Sequence, residues 1–186
     1  MFTSSPAANR VAVRDPNATG ADPAAARPRR PGVVRYHVLR REQRLPGTPR
    51  EVFGFFADAH NLEAVTPPWL SFRVLTPRPI EMRPGALIEY RLRLRGLPIA
   101  WLTRIEEWVP GVRFVDVQLA GPYRLWHHTH EFAPDGDGAT AMRDVVRYAL
   151  PLWPLGELAH ALVVRRELER IFDFRREAVA RRLGAR

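Results

Sequence analysis

The sequence contains no cysteine and no lysine. Without cysteine the chain has no disulfides, no thiolate nucleophile and no cysteine-based metal site. Without lysine it cannot form a Schiff base on a lysine side chain. The sequence also lacks an apolar run of about 18 residues, the length typical of a membrane-spanning helix, and its first residues lack the apolar core of a secretory signal. These absences predict a cytoplasmic protein.

Serine is scarce as well, since only Ser4, Ser5 and Ser71 are present. The first two precede any predicted strand, and Ser71 has no evident histidine and aspartate partners, so a serine-nucleophile mechanism is not expected. No glycine-rich phosphate-binding loop occurs, because Gly136 and Gly138 fit a hairpin turn instead.

All 29 basic residues are arginine, and the net charge is +9. Six arginines and two aspartates fall within the first 35 residues. Residues 1–34 are rich in Pro, Ala and Arg and show no apolar period, which predicts a disordered tail. Because much of the excess charge lies in this tail, nucleic acid is not an expected partner and membrane contact is at most peripheral. One hypothesis left open is a protein or membrane-surface interaction through the tail.

Residues 35–184 are predicted to form one domain of the α+β class. A helix begins where Thr48 is the N-cap, Pro49 the first helical residue and Glu51 the partner in a capping box. Strands separated by short turns follow, which is typical of an antiparallel meander, and a long helix ends the chain. The predicted strands are 36–44, 71–75, 86–95, 99–108, 112–119, 123–132 and 140–150, and the predicted helices are 49–58, 59–65 and 155–183.

The last predicted helix is longer than a small sheet is wide, so the sheet must curve around it and enclose a cavity. Strand alternation puts polar side chains among aromatic ones on the face toward this helix. Burying unpaired polar groups costs roughly 1–3 kcal/mol each, so such a face is tolerable if the groups pair or line a pocket. This face carries Phe114, Asp116, Gln118, Trp126, His128, His130 and Asp144.

The turns predict how these strands pair. The turn near residue 136 sets His128 opposite Asp144, and the turn at Gly121 places Asp116 near Trp126. The pairing is a hypothesis about register and can be compared directly with the structure.

Four stretches of the sequence form a recognisable pattern. They are residues 52–58 before Asn61 and Leu62; residues 66–70; residues 121–123 followed by Trp126, His128, His130 and Phe132; and Asp144 with Tyr148 before Pro151. Over about residues 36–184 this pattern resembles the polyketide cyclase/dehydrase-like branch of the START-related superfamily labelled SRPBCC, which also contains coenzyme Q-binding-like proteins. The resemblance implies a helix-grip (START/Bet v 1-like) fold. Members bind lipids, polyketides, quinones or plant hormones, and a minority are enzymes, but no catalytic motif carries over residue by residue.

The histidines and aspartates allow three interpretations. His128 and His130 on one strand face, with Asp144 as the adjacent carboxylate, could hold Zn²⁺ or Fe²⁺, but this third ligand depends on the register and no outer partner of the ligands can be named. They could form a hydrogen-bonded cluster in which Asp144 orients His128. They could also act in acid–base chemistry such as enolisation and cyclisation of a polyketone, with His128, His130, Asp144 and Asp116 as candidate catalytic residues.

The sequence thus predicts a binding protein for an apolar or amphipathic small molecule, with a cyclase or dehydratase as the alternative. No metal, no cofactor and no particular oligomeric state is predicted. Arg175 lies on the apolar stripe of the last helix, where a buried arginine needs a partner. The candidate ligand-binding residues are Tyr90, Trp101, Phe114, Asp116, Gln118, Trp126, His128, His130, Asp144, Tyr148 and Arg175.

Overall fold

The computed structural model describes residues 35–136, 138–152 and 154–184. The chain divides into a unit Met1–Tyr36 and a unit His37–Arg186, and every helix and strand described below belongs to the second. The predicted disordered tail, residues 1–34, lies outside the described residues.

The described strands form one seven-stranded antiparallel sheet in the order β1-β7-β6-β5-β4-β3-β2. Strands β2 to β7 follow one another as the predicted meander, and β1 closes against β7. The α+β class is therefore confirmed. The strands are β1 (His37–Pro46), β2 (Arg73–Val74), β3 (Leu87–Leu94), β4 (Leu97–Val109), β5 (Arg113–Ala120), β6 (Leu125–Pro134) and β7 (Ala139–Ala149).

Two short helices link β1 to β2, which are the two edges of the sheet. Helix α1 (Pro49–Ala57) begins at the predicted capping box: the Thr48 side chain accepts from the Glu51 backbone, and the Glu51 side chain accepts from the Thr48 backbone. Helix α2 (Asn61–Ala64) follows, and a short 3₁₀ turn (Pro68–Leu70) leads into β2.

The C-terminal helix has three parts. Helix α3 (Leu155–Ala159) continues through a π-helical turn (His160–Val164) into α4 (Arg165–Gly184). Register shifts between β4 and β5, at Leu102/Thr103 and at Ile105/Glu107, are the irregularities that let an antiparallel sheet bend. None of the described helices has the length and apolar character needed to cross a bilayer.

The predicted register at β5, β6 and β7 is wrong by two residues. His130 lies opposite Asp144, whereas His128 lies opposite Val146. On the other side, Asp116 lies opposite His128 rather than Trp126. Between β6 and β7 the slip arises because β6 continues to Pro134 and pairs with Thr140, so that turn is tighter than expected. Between β5 and β6 the pairing ends at Val117 and His127, so that connection is longer than expected. A shift of two leaves every side chain on its predicted face, since side chains alternate with a period of two.

Apolar packing is divided among three clusters of buried residues rather than one continuous core. One lies where α1 and the end of α4 meet the sheet, around Phe53 and Val179. A second joins β7 to α4 around Val146 and Phe172, and a third lies on β3 and β4 around Ile88. The space between these clusters is the cavity described next.

Candidate functional site

A cavity of about 290 Å³ lies between the inner face of the sheet and the C-terminal helix. Its size is at the lower end of the range of roughly 300–1,000 Å³ found for small-molecule sites. The lining is mainly aliphatic and aromatic, with a few polar side chains. The sheet contributes Ile88, Leu92, Ile99 and Ile105 among others, and the helix contributes Val163, Val164, Leu168, Ile171 and Phe172.

Most of the sequence-predicted candidates line this cavity. Strand alternation brings those on the sheet there, since each occupies an inward position of its strand, and helix α4 contributes Arg175. They are Tyr90, Trp101, Phe114, Asp116, Trp126, His128, His130 and Arg175.

Three candidates do not line the cavity. The Gln118 amide donates to the Tyr123 carbonyl at 2.6 Å and accepts from the Tyr123 backbone N–H at 3.3 Å, so it closes the loop between β5 and β6. Asp144 lies behind the two histidines. The Tyr148 hydroxyl is 3.0 Å from Nε2 of His160, at the π-helical turn.

Two histidines and two aspartates from three adjacent strands form a buried cluster at the cavity wall. Nε2 of His130 lies 3.0 Å from Oδ2 of Asp116, and Nε2 of His128 lies 3.2 Å from Oδ1 of Asp144. Nδ1 of His128 is 3.5 Å from Oδ2 of Asp116, and Nδ1 of His130 is 2.7 Å from Oδ1 of Asp144. The last contact lacks the direction of a hydrogen bond, so it is ionic only. Each histidine therefore contacts both carboxylates.

Aromatic packing holds the imidazoles in place. The His130 ring stacks on Phe114 with 4.0 Å between centroids, and the His128 ring meets Phe172 of α4 edge-on at 5.5 Å. Both histidines are almost completely buried. The cluster is therefore a rigid part of the wall and not a mobile surface group.

The two histidines differ in charge. Burial and the neighbouring charge of His130 lower the pKa of His128 to about 4. Burial also disfavours the charged form of His130, but the carboxylates of Asp144 and Asp116 outweigh burial and raise its pKa. Burial opposes ionisation of both aspartates, yet the imidazoles hold the pKa of Asp116 below its usual value and that of Asp144 well below it. The shifts therefore favour the neutral form of His128 and the protonated form of His130.

We expect this cluster to make folding stability pH-dependent with a maximum near pH 6.5. Below that pH the unfolded chain protonates His128 and the folded chain does not, so the free energy of unfolding falls by about 2–3 kcal/mol between pH 6.5 and pH 4. Above pH 6.5 the unfolded chain loses the proton of His130 while the folded chain keeps it, so the free energy of unfolding falls again as pH rises through the raised pKa of His130. Urea unfolding at several pH values in metal-free buffer measures both effects. In His128→Phe the free energy of unfolding should fall much less between pH 6.5 and pH 4. If it falls as much as in the wild-type protein, His128 is not the cause of the acid-side loss.

A second polar group lies beside the cluster. The Tyr90 phenol is buried next to Thr103, and burial together with the charge of Asp116 raises its pKa. Nε of Arg175 is buried and has no hydrogen-bond partner among the described residues. The Arg175 guanidinium carbon lies 5.9 Å from the centroid of the Phe56 ring. The charges of Asp116 and Arg175 both act on the Tyr90 phenol, so donors from β3 and α4 lie near Asp116.

Sequence reasoning missed five polar residues of the lining, which are Asp58, Asn61, Thr66, Thr103 and Glu167. Thr103 accepts from the Trp101 indole N–H at 3.0 Å, and Glu167 accepts from the Trp69 indole N–H at 3.2 Å. Alternation along β4 could have found Thr103, because it is two residues from Trp101 and shares its face. No sequence signal marked Glu167, whose position depends on how the helix is rotated.

No protein-family model matches the chain, and no curated protein is similar to it in sequence. Solved structures do match in three dimensions. A protein from Chromobacterium violaceum is 19% identical with a TM-score of 0.62, over 78% of this chain and 96% of that one. A START superfamily protein from Mycobacterium smegmatis is 11% identical with a TM-score of 0.57, over 80% and 98%. The Zhui aromatase/cyclase from a Streptomyces species is 14% identical with a TM-score of 0.56, over 77% of this chain and 93% of that one.

At these identities the comparisons establish the fold. The chain has the helix-grip fold of START-like and Bet v 1-like proteins, as the resemblance in the sequence implied. The curved antiparallel sheet and the long C-terminal helix are its defining parts. This fold is consistent with binding of a hydrophobic ligand.

Proposed function

We propose that the protein binds an apolar or amphipathic small molecule, of the lipid, polyketide or quinone type, in its internal cavity. The observation that carries the proposal is the cavity of about 290 Å³, whose walls are mainly aliphatic and aromatic. Burial of apolar ligand surface against such walls supplies most of the affinity in sites of this shape.

The polar groups argue for a ligand with one oxygen-bearing end. Nε of Arg175 is a buried donor without a protein partner, and leaving such a donor unsatisfied costs free energy. Tyr90 and His130 lie on the same part of the wall, close to Asp116. A carbonyl, hydroxyl or carboxylate of the ligand placed there would accept from Arg175 while its apolar body fills the remaining space.

The test is native mass spectrometry of protein purified from its own host. We expect a non-covalent small molecule to co-purify with the folded chain and to be released on denaturation, since an apolar cavity favours retention of its ligand. Extraction into organic solvent then identifies its class. If the protein is consistently purified without a small molecule and also fails to bind an apolar dye, the proposal is wrong.

A cyclase or dehydratase is the second candidate, and one observation favours it. Two imidazoles line the cavity, and their pKa values are shifted in opposite directions, downward for His128 and upward for His130. A base and an acid in one wall could remove a proton next to a carbonyl and protonate an oxygen elsewhere in the same substrate. The fold is shared with the Zhui aromatase/cyclase.

The two candidates make different predictions for His128→Phe and His130→Phe. An enzyme should lose turnover of a poly-β-ketone substrate by about 100-fold or more in either variant, because general acid–base groups contribute roughly 10²–10⁴-fold. A carrier should retain its co-purified ligand. Product formation is followed by liquid chromatography and ligand retention by native mass spectrometry on the same preparations.

A further inference from the structure

Three potential metal-ligating atoms meet at the cavity wall. The carboxylate of Asp116 and one ring nitrogen from each of His128 and His130 all lie within 4.8 Å of one another. Asp116 Oδ2 is 3.0 Å from His130 Nε2 and 3.5 Å from His128 Nδ1. Two ligands of a tetrahedral ion, each about 2.0–2.1 Å from the metal, lie about 3.3 Å apart. The two separations from Asp116 are thus close to those of a metal-bound arrangement, and the two ring nitrogens lie within 4.8 Å of each other.

The same residues have the outer partner that metal-binding histidines usually have. Asp144 Oδ1 is 3.2 Å from His128 Nε2, the nitrogen that points away from Asp116. It is also 2.7 Å from His130 Nδ1, which likewise points away from Asp116. A carboxylate on the far nitrogen of a ligating histidine fixes its tautomer and raises its basicity. Asp144 would do this for His128 through its hydrogen bond, and its charge also lies beside the far nitrogen of His130.

These contacts remove the two objections that the sequence raised against a metal. The third ligand no longer depends on a predicted register, because Asp116 lies directly opposite His128 on the adjacent strand. An outer partner can now be named, and it is Asp144. All three ligands come from strands in the middle of the sheet, so their spacing is held by the backbone hydrogen bonds of β5 and β6.

We propose that Asp116, His128 and His130 bind one divalent transition-metal ion, Zn²⁺ or Fe²⁺, at the cavity wall. Two imidazoles and one carboxylate suit these ions and are a poor match for Ca²⁺ or Mg²⁺, which prefer oxygen ligands. The three ligand residues line the cavity, so the remaining coordination positions face it. The proposal is independent of the proposed function, because the site can be tested with the metal alone.

The experiment titrates metal-free protein with Zn²⁺ by calorimetry and with Co²⁺ by visible absorption. We expect one ion per chain and a Co²⁺ spectrum of low coordination number, with Zn²⁺ displacing Co²⁺. Asp116→Asn keeps the shape of the side chain and should weaken Zn²⁺ binding about 100-fold or more. Asp144→Asn, which changes only the outer partner, should weaken it about 10–100-fold.

His127→Gln is the matched control. His127 directly precedes His128 on β6, and alternation turns its side chain to the other face of the sheet, so its removal should leave Zn²⁺ affinity unchanged. Circular dichroism confirms that each variant is folded before titration. The proposal is overturned if the wild-type protein shows no saturable binding of either ion, or if Asp116→Asn binds Zn²⁺ as tightly as wild type.

Discussion

Asp144→Asn is expected to lower the free energy of unfolding by about 3–5 kcal/mol at pH 6. The substitution keeps the shape of the side chain but removes a buried negative charge that contacts both His128 and His130. His130 then keeps its proton with Asp116 as its remaining carboxylate, so the folded state contains an under-compensated buried charge. Equilibrium unfolding in urea measures the loss.

The matched control is Asp173→Asn. Its carboxylate accepts from Nε of Arg41 at 3.1 Å, but the Asp173 side chain is 51% exposed. Surface ion pairs contribute about 0–1 kcal/mol, so this variant should lose less than 1 kcal/mol. The deficit of Asp144→Asn should also shrink as pH rises and His130 becomes neutral. If Asp144→Asn and Asp173→Asn lose the same free energy of unfolding, the charge of Asp144 does not stabilise the buried histidines.

The second large effect concerns the cavity itself. Leu92→Trp is expected to weaken binding of the fluorescent dye 1-anilinonaphthalene-8-sulfonate by tenfold or more. Leu92 lies on the inward face of β3 and lines the cavity, so a larger indole there takes space that the dye needs. Because Leu92 is only partly buried, the larger side chain should cost little stability. Fluorescence titration gives the dissociation constant.

Arg91→Trp supplies the comparison for that experiment. Arg91 precedes Leu92 on β3 and points to solvent, so the same indole is added outside the cavity. Dye affinity should remain at the wild-type value in Arg91→Trp. If both variants bind the dye as wild type does, the dye occupies some other site and the cavity is not the binding pocket.

The composition of the polar cluster follows from local sequence. Residues 128 and 130 share a face of β6 because side chains alternate, and the same alternation places Asp116 and Asp144 on that face of β5 and β7. The capping box at Thr48 and Glu51 likewise set the start of α1. A strand can slide by two residues without changing any of these assignments, so they did not depend on the exact pairing.

The partners within the cluster could not be obtained in that way. The predicted register put His128 beside Asp144 and left Asp116 beside Trp126, whereas in the structure Asp116 lies opposite His128 and Asp144 opposite His130. The error is two residues, the one kind of slip that hydrophobic patterning cannot detect. The turn that decides the pairing of β6 with β7 depends on backbone conformation at Gly136 and Gly138, both of which have positive φ.

By itself the sequence determined the α+β class, the antiparallel meander, the inward face of each strand and the chemical character of the cavity. Tertiary structure alone decided that Gln118 closes a loop, that Glu167 reaches the lining and that one carboxylate lies behind two histidines. The physical reason is the distance along the chain over which each kind of interaction acts. Alternation and capping are set by neighbours a few residues apart, while register, helix rotation and hydrogen-bond partners are set by contacts between strands and helices distant in the chain.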